Sequence, residues 1–163
     1  MKIISFKNQN VYKKCGLHED GACIEGPLGN RYTSSISTHN GSCSKIEVKD
    51  AQCFSKKPKC KVLEAGTVLY RIYDNQNNKF GQWWMMTLPN NITEWRREYA
   101  VLSMWNKDSN IITIRLTKNL YVWYGPASSQ RVPYEKCILI GGSDQVFVAK
   151  QDVKSLEITS TIK

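Results

Sequence analysis

From about residue 62 the chain alternates short apolar runs with polar, turn-forming segments. "GTVLYRIYD" (66–74) is dense in β-branched and aromatic residues and ends at "DNQNN", the pattern of a strand closed by a turn. Further strands are predicted at "NIITIRL" (110–116), "LYVWYG" (120–125), "CILI" (137–140), "QVFVA" (145–149) and "SLEITST" (155–161). In "NNITEWRREYAVLSMWN" (90–106) the period changes, and Ile92, Trp95, Tyr99 and Leu102 recur on one helical face. Asn91 followed by Glu94 reads as a capping box, and Pro89 helps fix the helix start. Strands with one substantial helix predict the α+β class.

The first 62 residues are of another kind. They are rich in Gly, Ser, Asn and Lys, and no helical period is sustained. Short strands are expected at "GNRYTSSIST" and "SKIEVKDAQCF", where apolar and polar positions partly alternate. Hydrophobic burial alone would hardly hold such a segment. Cys15, Cys23, Cys43, Cys53 and Cys60 fall within it, and Cys137 stands apart. No CxxC pair is present, which argues against structural zinc. Disulfides, with Cys137 tying the two regions together, and reduced thiols are the two readings. Cysteine density favours the first and an oxidising destination. The expected organisation is a small Cys-rich module over 1–62 and a second domain over 63–163.

A chain of 163 residues with 41% hydrophobic and 23% charged residues is ordinary for a globular domain with a real core. No apolar run approaches a membrane span, and "MKIISFKNQN" turns polar before the core of a secretion signal develops. The net charge is +9, which admits nucleic acid, an anionic membrane or an acidic protein as partner. Apart from "KKPKCK" (56–61) the basic residues are scattered. That favours a soluble basic surface over a nucleic-acid site.

Much familiar chemistry is excluded. The only histidines, His18 and His39, lie in the Cys-rich module. The strand-rich region therefore lacks a Ser-His-Asp triad, a Cys-His pair or a histidine metal site. There is no P-loop and no GxGxxG. Four features remain. Arg71 sits inside an apolar strand, where it either faces outward or needs a partner or an anionic ligand. "KFGQWWMM" (79–86) gathers Phe80, Trp83 and Trp84 around a glycine, as core or as the stacking wall of a pocket. Of the adjoining Arg96 and Arg97, only Arg96 borders the apolar helix face, at about 100° per residue. Gln145 follows "GGSD" at a strand start, as an edge residue or the working group of a site.

The order of these parts, "LYRIYD", "FGQWW", "EWRREYAVL", "VWYGPASSQ" and "LIGGSDQVFV", resembles the C-terminal toxin domains of bacterial polymorphic toxins. It also resembles the related necrotizing-toxin (TNT) family of NAD glycohydrolases, across about residues 63–153. The resemblance implies a compact ADP-ribosyltransferase-like sheet core with one main helix, with NAD(P)+ as substrate and no bound cofactor or metal. On it, Arg71 would bind the NAD diphosphate and Arg96 would be a second phosphate contact. Phe80 or Trp83 would line the nicotinamide end, and Gln145 would sit at the reacting ribose. Ser129 and Gln130 of "PASSQ" are further site candidates. Secreted fungal members carry a disulfide-containing segment ahead of the core, and bacterial toxins imply an immunity protein, here an acidic one.

The sequence departs from that family in two places. The core histidine of TNT-type enzymes has no counterpart, and "FGQWW" replaces a Tyr-Gly-Arg-Phe type turn. A glutamine can orient a ribose but is no general base at neutral pH, which favours water over a protein acceptor. The expected function is therefore hydrolysis of NAD(P)+ by a secreted or delivered toxin. The alternatives are a mono-ADP-ribosyltransferase or ADP-ribosyl cyclase on the same fold. A non-catalytic, disulfide-stabilised basic binding module using Trp83, Trp84 and Trp123 as stacking groups is a third.

Overall fold

A computed structural model describes residues 2–5, 21–38, 42–74, 78–107, 110–133 and 136–159. The elements run β1 (Lys2–Ser5), β2 (Ile24–Glu25), α1 (Val48–Ala51), β3 (Lys59–Leu63), β4 (Val68–Tyr73), β5 (Trp83–Trp84), α2 (Ile92–Tyr99), β6 (Asn110–Arg115), β7 (Leu120–Pro126), β8 (Gln130–Arg131), β9 (Cys137–Leu139), β10 (Asp144–Phe147) and α3 (Lys150–Thr159). The class is α+β. Antiparallel pairing arranges the strands in three sheets, β1-β6-β4, β3-β7-β10-β5 and β2-β9-β8. An isolated antiparallel bridge, Tyr70 with Met85, joins the edge of the first sheet to that of the second.

The apolar run of β6 is explained by burial on both faces. Ile112 and Ile114 pack with Leu69, Tyr73, Trp84 and Val146 in the main core. Ile111 points the other way and meets Ile72, Met85 and the α2 residues Ile92 and Trp95. Strand β4 divides likewise, so Arg71 shares its face with Leu69 and Tyr73. It does not face outward as on a half-solvated strand.

Helix α2 begins as expected, the Asn91 side chain accepting from the Glu94 N–H at 2.8 Å. It is shorter than its pattern predicted. Ala100 takes a left-handed conformation, with φ of 51°, and ends it. The following turn is held against the helix by Arg96, whose guanidinium donates to the carbonyls of Val101 (3.1 Å) and Asn106 (3.0 Å). Bonds to those carbonyls replace the continuation of the helix.

Three other expectations are corrected. Residues 155–159 of the expected strand 155–161 belong to α3, where Val153 and Leu156 present a helical face to the main core. The two strands expected in the Cys-rich region reduce to a single bridge, Ile36 with Ile46, followed by the one-turn α1. The second of the two stretches folds instead around Ala51 and Phe54, which are buried against Trp123 and Phe147.

The N-terminal residues are woven into every sheet. β1 pairs with β6, β2 with β9, and β3, which runs through the expected division at residue 62, with β7. Cys43 and Cys60 form a disulfide with Cα atoms 6.0 Å apart. Cys23 and Cys137 lie together in a separate buried cluster, while Cys15, His18 and His39 lie outside the described residues. Lys59 and Lys61 of the "KKPKCK" run point outward from β3, an edge strand, where lysines discourage pairing with other chains. Among the described residues no helix is long and apolar enough to cross a membrane.

Candidate active site

Beyond the Tyr70–Met85 bridge the edges of β4 and β5 part, and a cavity of about 210 Å³ opens between them. Arg71, Ile72, Trp83, Trp84 and Met85 line it from the strands. Trp95 and Tyr99 line it from α2, and Ala100, Val101, Trp105 and Asn106 from the turn that Arg96 holds. Cys53, Ser128, Gln130 and Gln145 close the remaining side. The walls are therefore mostly apolar, with Trp83, Trp84, Trp95, Tyr99 and Trp105 as their aromatic part and a few polar groups converging between them, the usual make-up of a small-molecule site.

Arg71 folds over the segment that links β4 to β5. Its Nε and Nη2 donate to the Asn78 carbonyl at 3.2 and 3.0 Å, and Nη1 donates to the Trp83 carbonyl at 2.9 Å. Gly81 makes this possible, because a Cβ there would collide with the guanidinium. Burial lowers the Arg71 pKa to about 10, with Asp74 acting in the opposite sense. The group is still a cation at neutral pH. Its acceptors here are carbonyl dipoles, so its charge remains to act on a ligand.

Gln145 opposes Gly125 of β7 and is 8% exposed. Its Nε2 donates to the Cys53 carbonyl at 2.9 Å. Facing a carbonyl, that end of the amide must be the nitrogen, and the amide oxygen is directed away from Cys53. Beside it, Gln130 Nε2 reaches Ser128 Oγ at 3.4 Å, and Ser128 Oγ donates to the Gln52 carbonyl at 2.9 Å. Burial, then the Asp50 carboxylate, pushes the Cys53 thiol up to about 11, while Arg31 pulls the other way. Burial also pushes the Tyr99 phenol up to about 12, helped by Glu98 and Asp144. Both are neutral at physiological pH. Among the described residues the lining thus holds one cation, three amides, a hydroxyl, a neutral thiol and a neutral phenol, and neither a carboxylate nor an imidazole.

Of the residues singled out in the sequence, Arg71, Trp83, Gln130 and Gln145 meet around this cavity. Three do not line it. Phe80 packs on the main core, its ring centroid 6.3 Å from that of Trp84. Ser129 faces the other way, where its Oγ accepts from the Gly29 N–H at 2.7 Å, and its neighbour Ser128 takes the place at the cavity. Arg96 is 1% exposed, stacked 5.1 Å from the Trp95 ring and committed to two carbonyls. It shapes the turn that forms the wall and does not itself line the cavity. Trp95, Tyr99, Trp105 and Asn106 were not expected at a site. The helical period had assigned Trp95 and Tyr99 to a core-facing side, and that side forms both core and cavity wall.

The fold and the pocket define an α+β domain with a cavity that pairs an arginine with a buried glutamine beside aromatic walls. No protein-family model matches the sequence, and no curated protein matches it. Among solved structures, the fold is similar to a chain in the structure of Tne2 in complex with Tni2. The identity is 17% and the TM-score 0.49, over 58% of this chain and 82% of that one. No residue role is carried across on that likeness.

Proposed function

We propose that this chain is a toxin or effector domain that hydrolyses NAD(P)+ to nicotinamide and ADP-ribose or its phosphate. The observation that carries this reading is the meeting of Arg71 and Gln145 in a pocket with aromatic side chains on its walls and no carboxylate among the described residues that line it. The glycosidic bond between the nicotinamide nitrogen and ribose C1′ breaks, and its electron pair stays on the ring, which becomes neutral. Water then adds to the oxocarbenium-like ribose and loses a proton to solvent. The face of Trp83 suits the cationic ring of the ground state. Arg71 suits the diphosphate, which an arginine meets with charge-assisted bonds. The Gln145 amide suits a ribose hydroxyl, and fixing the sugar favours the planar transition state.

Transfer to a protein or RNA acceptor needs a base to take the acceptor's proton. Among the described residues the lining offers none, which favours hydrolysis over mono-ADP-ribosylation. Cyclisation shares the same first step and differs only in its product. The polyanion-binding reading loses two of its three stacking groups. Trp123 is buried with its Nε1 on the Ser44 carbonyl, and Trp84 is buried with its Nε1 on the Gly81 carbonyl. A delivered domain of this kind is matched by an acidic immunity protein in its producer, which the charge of +9 would attract.

The test is NAD+ consumption by the oxidised protein, with products separated by chromatography. Nicotinamide and free ADP-ribose in equal amounts support the reading. No turnover by folded wild type overturns it.

A further inference from the structure

The oxygen that holds Gln145 is unusually well fixed. The Cys53 carbonyl accepts the Gln145 amide at 2.9 Å and the Ser128 N–H at 2.8 Å, which fills both its lone pairs. The segment bearing it is pinned by an isolated bridge between Phe54 and Ala127 and by the Ser55 N–H on the Pro126 carbonyl at 3.0 Å. The Cys43–Cys60 disulfide closes the loop that contains it. This carbonyl cannot swing away to suit a different side chain.

We propose that the Cys53 main-chain carbonyl acts as a positioning group that makes 145 a donor-requiring position. It turns the Gln145 amide oxygen toward the cavity and excludes an ionised carboxylate. A glutamate at 145 would set a negative oxygen against a fixed carbonyl oxygen in a buried place. Such a side chain is accommodated only when protonated, as its hydroxyl can then donate to Cys53. The amide is on this account a requirement of the N-terminal loop as well as of the chemistry.

Other charges near the position are accounted for. Arg71 lines the same cavity and would favour an ionised glutamate. Asp144 precedes it and accepts from the Tyr124 hydroxyl, and Asp50 lies beside Cys53; both would disfavour it. Glu98 of α2 accepts from Ser143 and adds to that repulsion. Arg31, bonded to the Ser129 carbonyl, opposes it. The Cys53 thiol and the Tyr99 phenol are neutral below pH 9. Against Arg71 stands direct contact with the fixed Cys53 oxygen, which accepts Gln145 at 2.9 Å, and on this proposal that contact decides.

The experiment compares thermal unfolding of wild type, Gln145→Glu and the uncharged Gln145→Met from pH 4 to 9. The glutamate's folded pKa is raised above its unfolded value. Its deficit relative to wild type is therefore smallest at pH 4 and widens as pH rises through the folded pKa, while the methionine deficit stays level. A glutamate deficit that is level, or that shrinks with rising pH, overturns the proposal. If Gln145→Glu does not fold at any pH, the wild-type amide decides by nuclear magnetic resonance. A Gln145 side-chain N–H protected from exchange supports the bond, and a freely exchanging one overturns it.

A second arm rests on the NAD-hydrolysing reading. Gln145→Glu should lose on the order of ten- to a hundredfold in kcat/KM at pH 7.5 and recover toward acid. An unshifted pH profile in an active variant overturns the proposal. If wild type does not turn over NAD+, only that reading fails, and the unfolding comparison still decides the role of Cys53.

Discussion

The missing Cβ of Gly81 would occupy space taken by the guanidinium of Arg71. The glycine of "FGQWW" is thus explained by a neighbour, since an arginine from β4 lies across this turn and binds a carbonyl on either side of it. The obstructing group is the end of a flexible side chain, so it can move, but only by giving up those bonds.

Gly81→Ala should therefore cost only about 1–2 kcal/mol of stability, yet lower NAD+ turnover nearly as far as Arg71→Ala does. Arg71→Lys should behave similarly, because an ammonium cannot span both carbonyls in the plane that a guanidinium uses. Denaturant unfolding measured beside kcat/KM separates the two effects. Full activity in a folded Gly81→Ala protein would show that the position of Arg71 is unimportant.

Trp105 lines the cavity while 53% exposed, so its ring already keeps much of its surface in water. Trp105→Ala should change stability by less than about 1 kcal/mol and raise KM on the order of tenfold, with kcat little changed. Met104, 68% exposed and off the lining, is the matched control. Met104→Ala should leave both constants alone.

The Cys53 thiol is held near 11, against an ordinary value of 9.0. At pH 8 its thiolate fraction is then lower by about a hundredfold, and alkylation by iodoacetamide should slow correspondingly in the folded protein. Because the folded value is raised, the stabilising effect of the neutral thiol is complete below pH 9. It is lost as pH rises through about 11. Peptide mapping during an alkylation time course reads the rate at this one cysteine. Fast labelling at pH 8 in native protein would contradict a thiol held near 11.

Replacing both Cys43 and Cys60 by alanine should lower unfolding stability by about 3 kcal/mol, the effect expected of a crosslink closing a loop of this size. Because that loop presents the Cys53 carbonyl, NAD+ turnover should fall further than the population of folded protein does. The check is calorimetry of the double variant, with activity measured well below its melting temperature.

Legibility in the sequence followed the range of the interactions. Strands β4, β6, β7 and β10 were readable because each carries its own β-branched and aromatic run, and the start of α2 because its cap is local. The end of α2 was not, since Ala100 turns left-handed to deliver Val101 and Asn106 to Arg96. Leu156 and Ile158 alternate like a strand, but Leu156 is buried from a helix. Arg71 and Gln145 stood out because a polar group in an apolar run needs an explanation. Ser128 and Asn106 have no such signal, and adjacent serines on a loop give no clue to which one points inward. Most of all, no pattern could show that Cys53 faces Gln145.

The distance along the chain between those two residues has a consequence for folding. Gln145 and Cys53 are 92 positions apart, and β10, which bears Gln145, is among the last strands of the polypeptide. Pairings between remote segments form slowly, because large loops must close before any contact rewards them. A chain emerging from a ribosome, or threading unfolded through a pore, has no assembled cavity until both the segment bearing Cys53 and the strand bearing Gln145 are free. Any activity of this cavity is withheld from partial chains by topology alone, before any inhibitor is required.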